Sequence, residues 1–125
     1  MNPNAGPLPF WAKQGDPHRP SWMLRADHHD LGTVWVLALS GESDLASRDV
    51  LTQELYAAEG RQRERLVLDL SRLSFCDAAS VQLFLGAARR SWVGRTGATV
   101  CVSRVFELMD PYGAVHAVSP PGVYV

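Results

Sequence analysis

Lysine is nearly missing from this 125-residue chain: eleven of its twelve basic residues are arginine, and Lys13 is the single exception. That scarcity closes one route at once. Glu42, Asp44, Asp69 and Asp77 could be cast as the acidic cluster of a receiver-type phosphotransfer module, but such a module needs a lysine at a strand end, and Lys13 sits among prolines. Positive charge is also not in excess. Twelve basic residues face thirteen acidic ones, the formal net charge is −1 and the isoelectric point is near 6.4, with no run of like charge, so the field needed to hold nucleic acid is lacking. No apolar stretch approaches the roughly 20 residues of a membrane span, and the first residues have neither a basic start nor an apolar signal core. A cytoplasmic protein without a membrane partner is expected.

Other absences remove chemistries. Neither Gly-x-Gly-x-x-Gly nor a P-loop occurs, so no nucleotide cofactor is expected. No serine lies in a Gly-x-Ser-x-Gly elbow, which leaves a hydrolase triad unsupported. Only two cysteines are present, Cys76 and Cys101, both in apolar, strand-like surroundings, and buried reduced thiols are expected rather than a disulfide. Cys76 near a helix start invites comparison with thiolate nucleophiles, but the adjacent Asp77 would raise its pKa and no arginine lies between Asp77 and Ser80. The pair His28-His29, flanked by Asp27 and Asp30, does not make a metal site, because neighbours on an extended strand point to opposite sides. No metal, cofactor or enzymatic activity is expected.

What is present is one ordinary core: 46% of the residues are hydrophobic, enough for a single domain of this length and too little for two. Residues 1–21 hold Pro3, Pro7, Pro9, Pro17 and Pro20 and no periodicity, which reads as a flexible tail with one sticky pair, Phe10-Trp11. The domain is expected over residues 22–118, followed by a tail, 119–125, that opens on Ser119-Pro120-Pro121-Gly122. Within the domain, Trp22 to Ala26 reads as an edge strand, Asp27 to Gly32 as a turn, and Thr33 to Leu39 as a central strand. Ala46 to Glu59 carries the apolar stripe of a helix that Gly60 ends. Ala98 to Val102 reads as a strand, Val105 to Met109 as a short helix stopped before Pro111, and Ala114 to Val118 as a last strand.

The stretch from Leu66 to Arg90 organises the rest. Leu66 to Leu70 is an apolar run broken only by Asp69, as in a strand covered on both faces. After a loop, Val81, Phe84, Leu85, Ala88 and Trp92 recur at spacings of three and four and share one helix face. Asp77 is placed to cap that helix, its carboxylate accepting from the N–H of Ala79 or Ser80. Strands separated by helices imply right-handed crossovers and a mostly parallel sheet with an antiparallel hairpin at its start, an α/β layer fold. Its loop at Asp77 lies where open α/β sheets place functional sites.

Two motifs carry a family resemblance. Asp69-Leu70-Ser71 followed by Phe75-Cys76-Asp77, two small residues and Val81-Gln82-Leu83-Phe84-Leu85-Gly86-Ala87 resembles the signature of the STAS domain, the fold of bacterial anti-sigma factor antagonists. Leu39-Ser40-Gly41-Glu42-Ser43-Asp44-Leu45-Ala46 resembles the family's Gly-Glu-x-Asp-Leu turn, and the resemblance covers roughly residues 22 to 116. The resemblance implies a non-enzymatic protein that docks on an anti-sigma factor of the histidine-kinase-like ATPase fold and so releases a sigma factor. Asp77, Ala78, Ala79 and Ser80 would line the docking loop, with Glu42, Ser43 and Asp44 beside it. In that family the residue after the signature aspartate is typically a serine that the partner kinase phosphorylates; here it is Ala78. The resemblance therefore implies a protein held in its binding-competent state, with Ser80 as the rival phosphoacceptor. A monomer or weak homodimer is expected. The alternative is a scaffold or ligand-sensing STAS subunit of a larger signalling assembly.

Overall fold

The computed structural model of the chain describes residues 20–121. The tails expected over 1–21 and 119–125, with Phe10-Trp11, fall almost wholly outside the described residues. Five strands form one mixed sheet in sequence order: β1 (Arg25–Asp30), β2 (Val34–Ser43), β3 (Arg65–Cys76), β4 (Val93–Thr96) and β5 (His116–Ala117). The β1–β2 pair is antiparallel and the remaining pairs are parallel. The helices are α1 (Arg48–Glu59), α2 (Ala78–Arg90) and α3 (Val100–Met109), with a short 3-10 turn, Leu45–Ser47, leading into α1.

All three helices pack on one face of the sheet. Leu51, Leu55 and Ala58 of α1 fall at helical spacing and are buried, as are Val81, Phe84 and Ala87 of α2 and Val102 and Phe106 of α3. They meet Trp35, Leu37 and Leu39 of β2 and Leu66, Leu68 and Leu70 of β3 in a single cluster, where the rings of Phe84 and Phe106 stack 5.9 Å apart. Truncating either ring would cost about 3–5 kcal/mol.

The α/β architecture and its N-terminal antiparallel hairpin are as the sequence indicates; several boundaries differ. Residues 27–30 are strand rather than turn, and the reversal is Leu31-Gly32-Thr33, where Gly32 N–H donates to Asp30 Oδ1 at 3.0 Å. Both β2 and β3 run well past their expected ends. Opposite β2, strand β3 carries two extra residues, seen as register shifts between Ala38 and Ser40 and between Gly41 and Glu42. Each bulge changes the phase of the side chains, so burial goes from the continuous run Leu66 to Leu70 to Leu73 and Cys76 alone, a spacing of three that hides a strand.

Ala98 to Val102, read as a strand for its β-branched content, is a helix start. Thr99 caps α3 by accepting from Val102 N–H, and the fourth strand is the unassuming Val93-Gly94-Arg95-Thr96. Cys101 consequently lies exposed on α3, whereas Cys76 is buried. Trp92 does not continue α2: the helix ends at Arg90, and the indole turns to the other face of the sheet, stacking on His116 at 4.8 Å. The contact explains Gly94, where any Cβ would stand 2.9 Å from the Trp92 ring.

Candidate functional site

The ends of β2 and β3 deliver two adjacent helix starts, each opened by an aspartate. Asp44 caps the 3-10 turn: its Oδ1 accepts from the N–H groups of Ala46 at 3.1 Å and Ser47 at 3.3 Å, while Ser47 Oγ accepts from Asp44 N–H at 3.0 Å. This reciprocal capping box satisfies donors that the first turn leaves unpaired. Asp77 caps α2 by accepting from Ser80 N–H at 2.8 Å. Of the two donors expected for it, Ser80 is the one used.

A buried polar bridge joins the two caps. Ser80 Oγ lies 2.7 Å from Asp77 Oδ1, 2.7 Å from Ser43 Oγ and 3.2 Å from the Ser43 carbonyl oxygen, and Asp77 N–H donates to that same carbonyl at 3.1 Å. The carboxylate is the strongest acceptor available to the Ser80 hydroxyl, so the Ser80 proton goes to Asp77 and Ser43 then donates to Ser80. Ser43 and Ser80 are both buried, at 0% and 3% exposure. They hold the site together from below, and Ser80 offers no lone pair or proton to a partner without unwinding the first turn of α2.

The other expected residues sort by exposure. Ala78, at the first helical position, is exposed; Asp77, Ala79, Glu42 and Asp44 are half-buried at the surface. The structure thus brings Glu42, Asp44, Asp77, Ala78 and Ala79 to one end of the sheet and withdraws Ser43 and Ser80 beneath them. Three apolar residues bordering this surface were not anticipated. Leu45 is 74% exposed, Phe75 46% and Trp22 54%, and Trp22 abuts the turn because its carbonyl accepts from Glu42 N–H at 2.8 Å. Leu45 could have been suspected from the sequence, since the apolar stripe of α1 does not require it. Phe75 is concealed by the second bulge.

Gly41 holds the turn in place. It adopts φ +87°, and a Cβ there would stand 2.5 Å from the Met23 carbonyl oxygen and 2.8 Å from that of Trp22. Only glycine permits both the left-handed conformation and the approach of the segment ahead of β1. Cys76, directly below the cap, has its thiol pushed up to about 12, first by burial and second by the charge of Asp77. It is a packed thiol rather than a nucleophile. Among the described residues no three His, Cys, Asp or Glu side chains gather to hold a metal ion, and no helix is long and apolar enough to cross a membrane. His28 is occupied otherwise: its Nδ1 accepts from Trp35 Nε1 at 2.9 Å, which leaves its Nε2 proton for Glu54.

A mixed sheet backed by helices on one face, with paired capped helix starts at the parallel strands' ends, defines an α/β domain of the STAS type. A sequence profile described as "Mlab, STAS domain" matches residues 29–111, more than half of the chain, and the chain belongs to the STAS domain family. No curated protein sequence matches it. Among solved structures it is similar to an anti-sigma factor antagonist from Mycobacterium paratuberculosis, with 20% identity and a TM-score of 0.70 over 78% of this chain and 86% of that one. It is also similar to the anti-sigma factor antagonist SpoIIAA in its unphosphorylated form, at 20% identity and a TM-score of 0.60 over 78% and 90% of the two chains. Moorella thermoacetica RsbS gives 19% identity and a TM-score of 0.60 over 78% and 88%. These likenesses establish the fold.

Proposed function

We propose that this protein is a non-enzymatic anti-sigma factor antagonist that docks on an anti-sigma factor of the histidine-kinase-like ATPase fold, frees a sigma factor, and is not switched off by phosphorylation at the usual position. One observation carries the reading. The first residue of α2 is an exposed, unphosphorylatable Ala78 beside an intact aspartate cap, and the nearest hydroxyl, Ser80, is buried and engaged by Asp77 and Ser43. Family membership and the solved antagonists of the same fold supply the role. One of those was solved in a form named unphosphorylated, which marks phosphorylation as a state of that protein.

A phosphate at the first helical position would be held by the free N–H groups of α2 while placing charge and bulk in the docking surface. Ala78 removes that option and keeps a small apolar contact there. Mixed apolar and acidic character at the rim, from Leu45 and Phe75 around Glu42, Asp44 and Asp77, suits a protein partner better than a small ligand.

The test is affinity capture of the tagged full chain from lysate of its own organism, followed by incubation of the captured partner with ATP. The expected result is recovery of a protein with a histidine-kinase-like ATPase domain that leaves this chain unmodified but phosphorylates the Ala78→Ser variant. A phosphopeptide containing Ser80 from the unaltered chain would overturn the locked state. Recovery of other STAS-type subunits alone would replace the antagonist by a scaffold of a larger assembly.

A further inference from the structure

A cleft of about 520 Å³ opens at the end of the sheet away from the two aspartate caps, where β2 and β3 begin and α1 and α2 end. The buried Leu66 and Trp35 form its floor, Glu59, Arg63 and Arg90 its walls, and Tyr56, 61% exposed, stands at its mouth. That volume lies within the range of small-molecule pockets, about 300–1,000 Å³. Beside it, between α1 and α2, is a notch of about 110 Å³ lined by Thr52, Leu55, Gln82, Leu83 and Gly86, and Tyr56 and Arg90 border both. A charged chamber thus adjoins a mainly apolar one. The charge of the larger chamber is unbalanced. Among its lining side chains and those stacked on or paired with them, four guanidinium groups, of Arg61, Arg63, Arg65 and Arg90, face two carboxylates, of Asp30 and Glu59. Arg63 and Arg90 grip those carboxylates through two bonds each, which fixes both forks and leaves N–H groups on each to spare. Arg61 lies 4.8 Å over the ring of Trp35 and Arg65 4.7 Å over that of Trp92, and neither meets a carboxylate among the described residues. A guanidinium stacked on an indole uses its face and keeps the donors at its edge for an anion. Backbone strain sits in the same place: Gln62, part of the lining, is the only residue other than glycine with a positive φ among the described residues, at +53°.

We propose that this cleft binds a small phosphate monoester that carries an aromatic ring or a short apolar chain, the phosphate held by the guanidinium groups and the apolar part lying along Tyr56 into the notch. The excess of two positive charges matches a phosphate monoester, which carries about −1.5 to −2 at pH 7. Guanidinium forks also fit its oxygens in pairs. The notch sets the size: inorganic phosphate would leave it empty, and a long acyl chain would outrun its 110 Å³. The site lies at the opposite end of the sheet from Asp77, so an occupied cleft leaves the docking loop uncovered, and the site stands whichever partner that loop takes.

The test is titration of the isotopically labelled full chain with phenyl phosphate, followed by heteronuclear NMR of its amide and arginine Nε–H groups. Saturable shifts are expected at Gly60, Gln62 and Ser91 and at the Nε–H of Arg63 and Arg90, with an affinity severalfold above that for inorganic phosphate or for benzoate, a monoanion of similar outline. An Arg61→Gln/Arg63→Gln variant should bind phenyl phosphate about tenfold more weakly and keep the circular dichroism of the parent. Were that variant to lose its fold, the shifts in the unaltered chain still decide. Shifts confined to residues 44–47 or 77–80 would put the anion at the helix starts and overturn the proposal, as would the lack of any saturable shift at millimolar ligand. Equal affinity for phenyl phosphate and inorganic phosphate would leave an adventitious ion only. Binding of a polyglutamate peptide without binding of phenyl phosphate would make the cleft a protein-docking surface, and either result overturns the proposal.

Discussion

The two ends of the sheet are held by different kinds of polar contact. At the end that holds the candidate site, Asp44 and Asp77 cap helix starts through short internal hydrogen bonds, and Ser43 and Ser80 beneath them are inaccessible to water. At the other end arginines dominate. Arg63 chelates Asp30, Arg90 chelates Glu59 and Arg61 lies over Trp35, and a cleft of about 520 Å³ there is lined by Arg63, Arg65, Arg90, Glu59, Trp35 and Tyr56. Buried hydrogen bonds fix a surface in one shape, because breaking any of them strands a polar group away from water. Exposed ion pairs are screened and rearrange freely, so they contribute little to stability. Substitutions should therefore be felt far more strongly at the capped end.

Of substitutions at the two ends, Gly41→Ala gives the largest expected effect. It adds a left-handed backbone penalty to a clash with the Met23 and Trp22 carbonyls, together roughly 2–4 kcal/mol in urea unfolding. A loss below about 1 kcal/mol would mean that the segment ahead of β1 is not held against the turn. Asp77→Lys comes next. It loses the cap of α2 and sets a cation at a positive helix end, roughly 1–2 kcal/mol, and should abolish capture of the partner while circular dichroism stays unchanged. Unchanged capture by this variant, with the fold intact, would remove the docking surface from this end of the sheet.

Ser80→Ala sharpens the comparison. It leaves Asp77 and Ser43 each short of a partner and should cost roughly 1–2 kcal/mol. Because Ser80 and Asp77 share their bonds, the Asp77→Ala/Ser80→Ala double variant should be less destabilised than the sum of the two singles. Additivity would show the bridge to be two independent contacts.

How much of this could be read in advance follows from the physical signal each residue carries. Asp77 was legible as a cap because a short carboxylate followed by two alanines and an apolar stripe has few other uses, and Glu42 to Asp44 followed from the motif. The mostly parallel sheet was legible from strands alternating with helices. Strand β4 and the start of α3 were not, because β-branched residues outweighed a helical spacing, Val102 to Phe106, that only packing on Phe84 makes decisive. The burial of Ser43 and Ser80 was equally hidden. Serine is usually exposed, and nothing local indicates that two of them, 37 residues apart, bond to each other.

The smallest effect belongs to the arginine end and separates the two regions by pH. Asp30 accepts from Arg63 Nη2 at 2.8 Å and Nε at 3.2 Å, and from Gly32 N–H at 3.0 Å. The Arg63 bonds first, then the backbone bond, hold its carboxyl near 2, below the ordinary 3.8. A carboxyl depressed by folding adds stability that is complete above its unfolded value and is lost as the folded value is approached from above. Any stability difference between the parent and Asp30→Asn should therefore be constant above about pH 4 and shrink as pH falls toward 2. Salt should reduce it as well, since the pair is exposed. The Ser80→Ala difference, resting on buried hydrogen bonds, should resist the same salt. If salt diminished both equally, the contrast drawn between a fixed end and a screened one would fail.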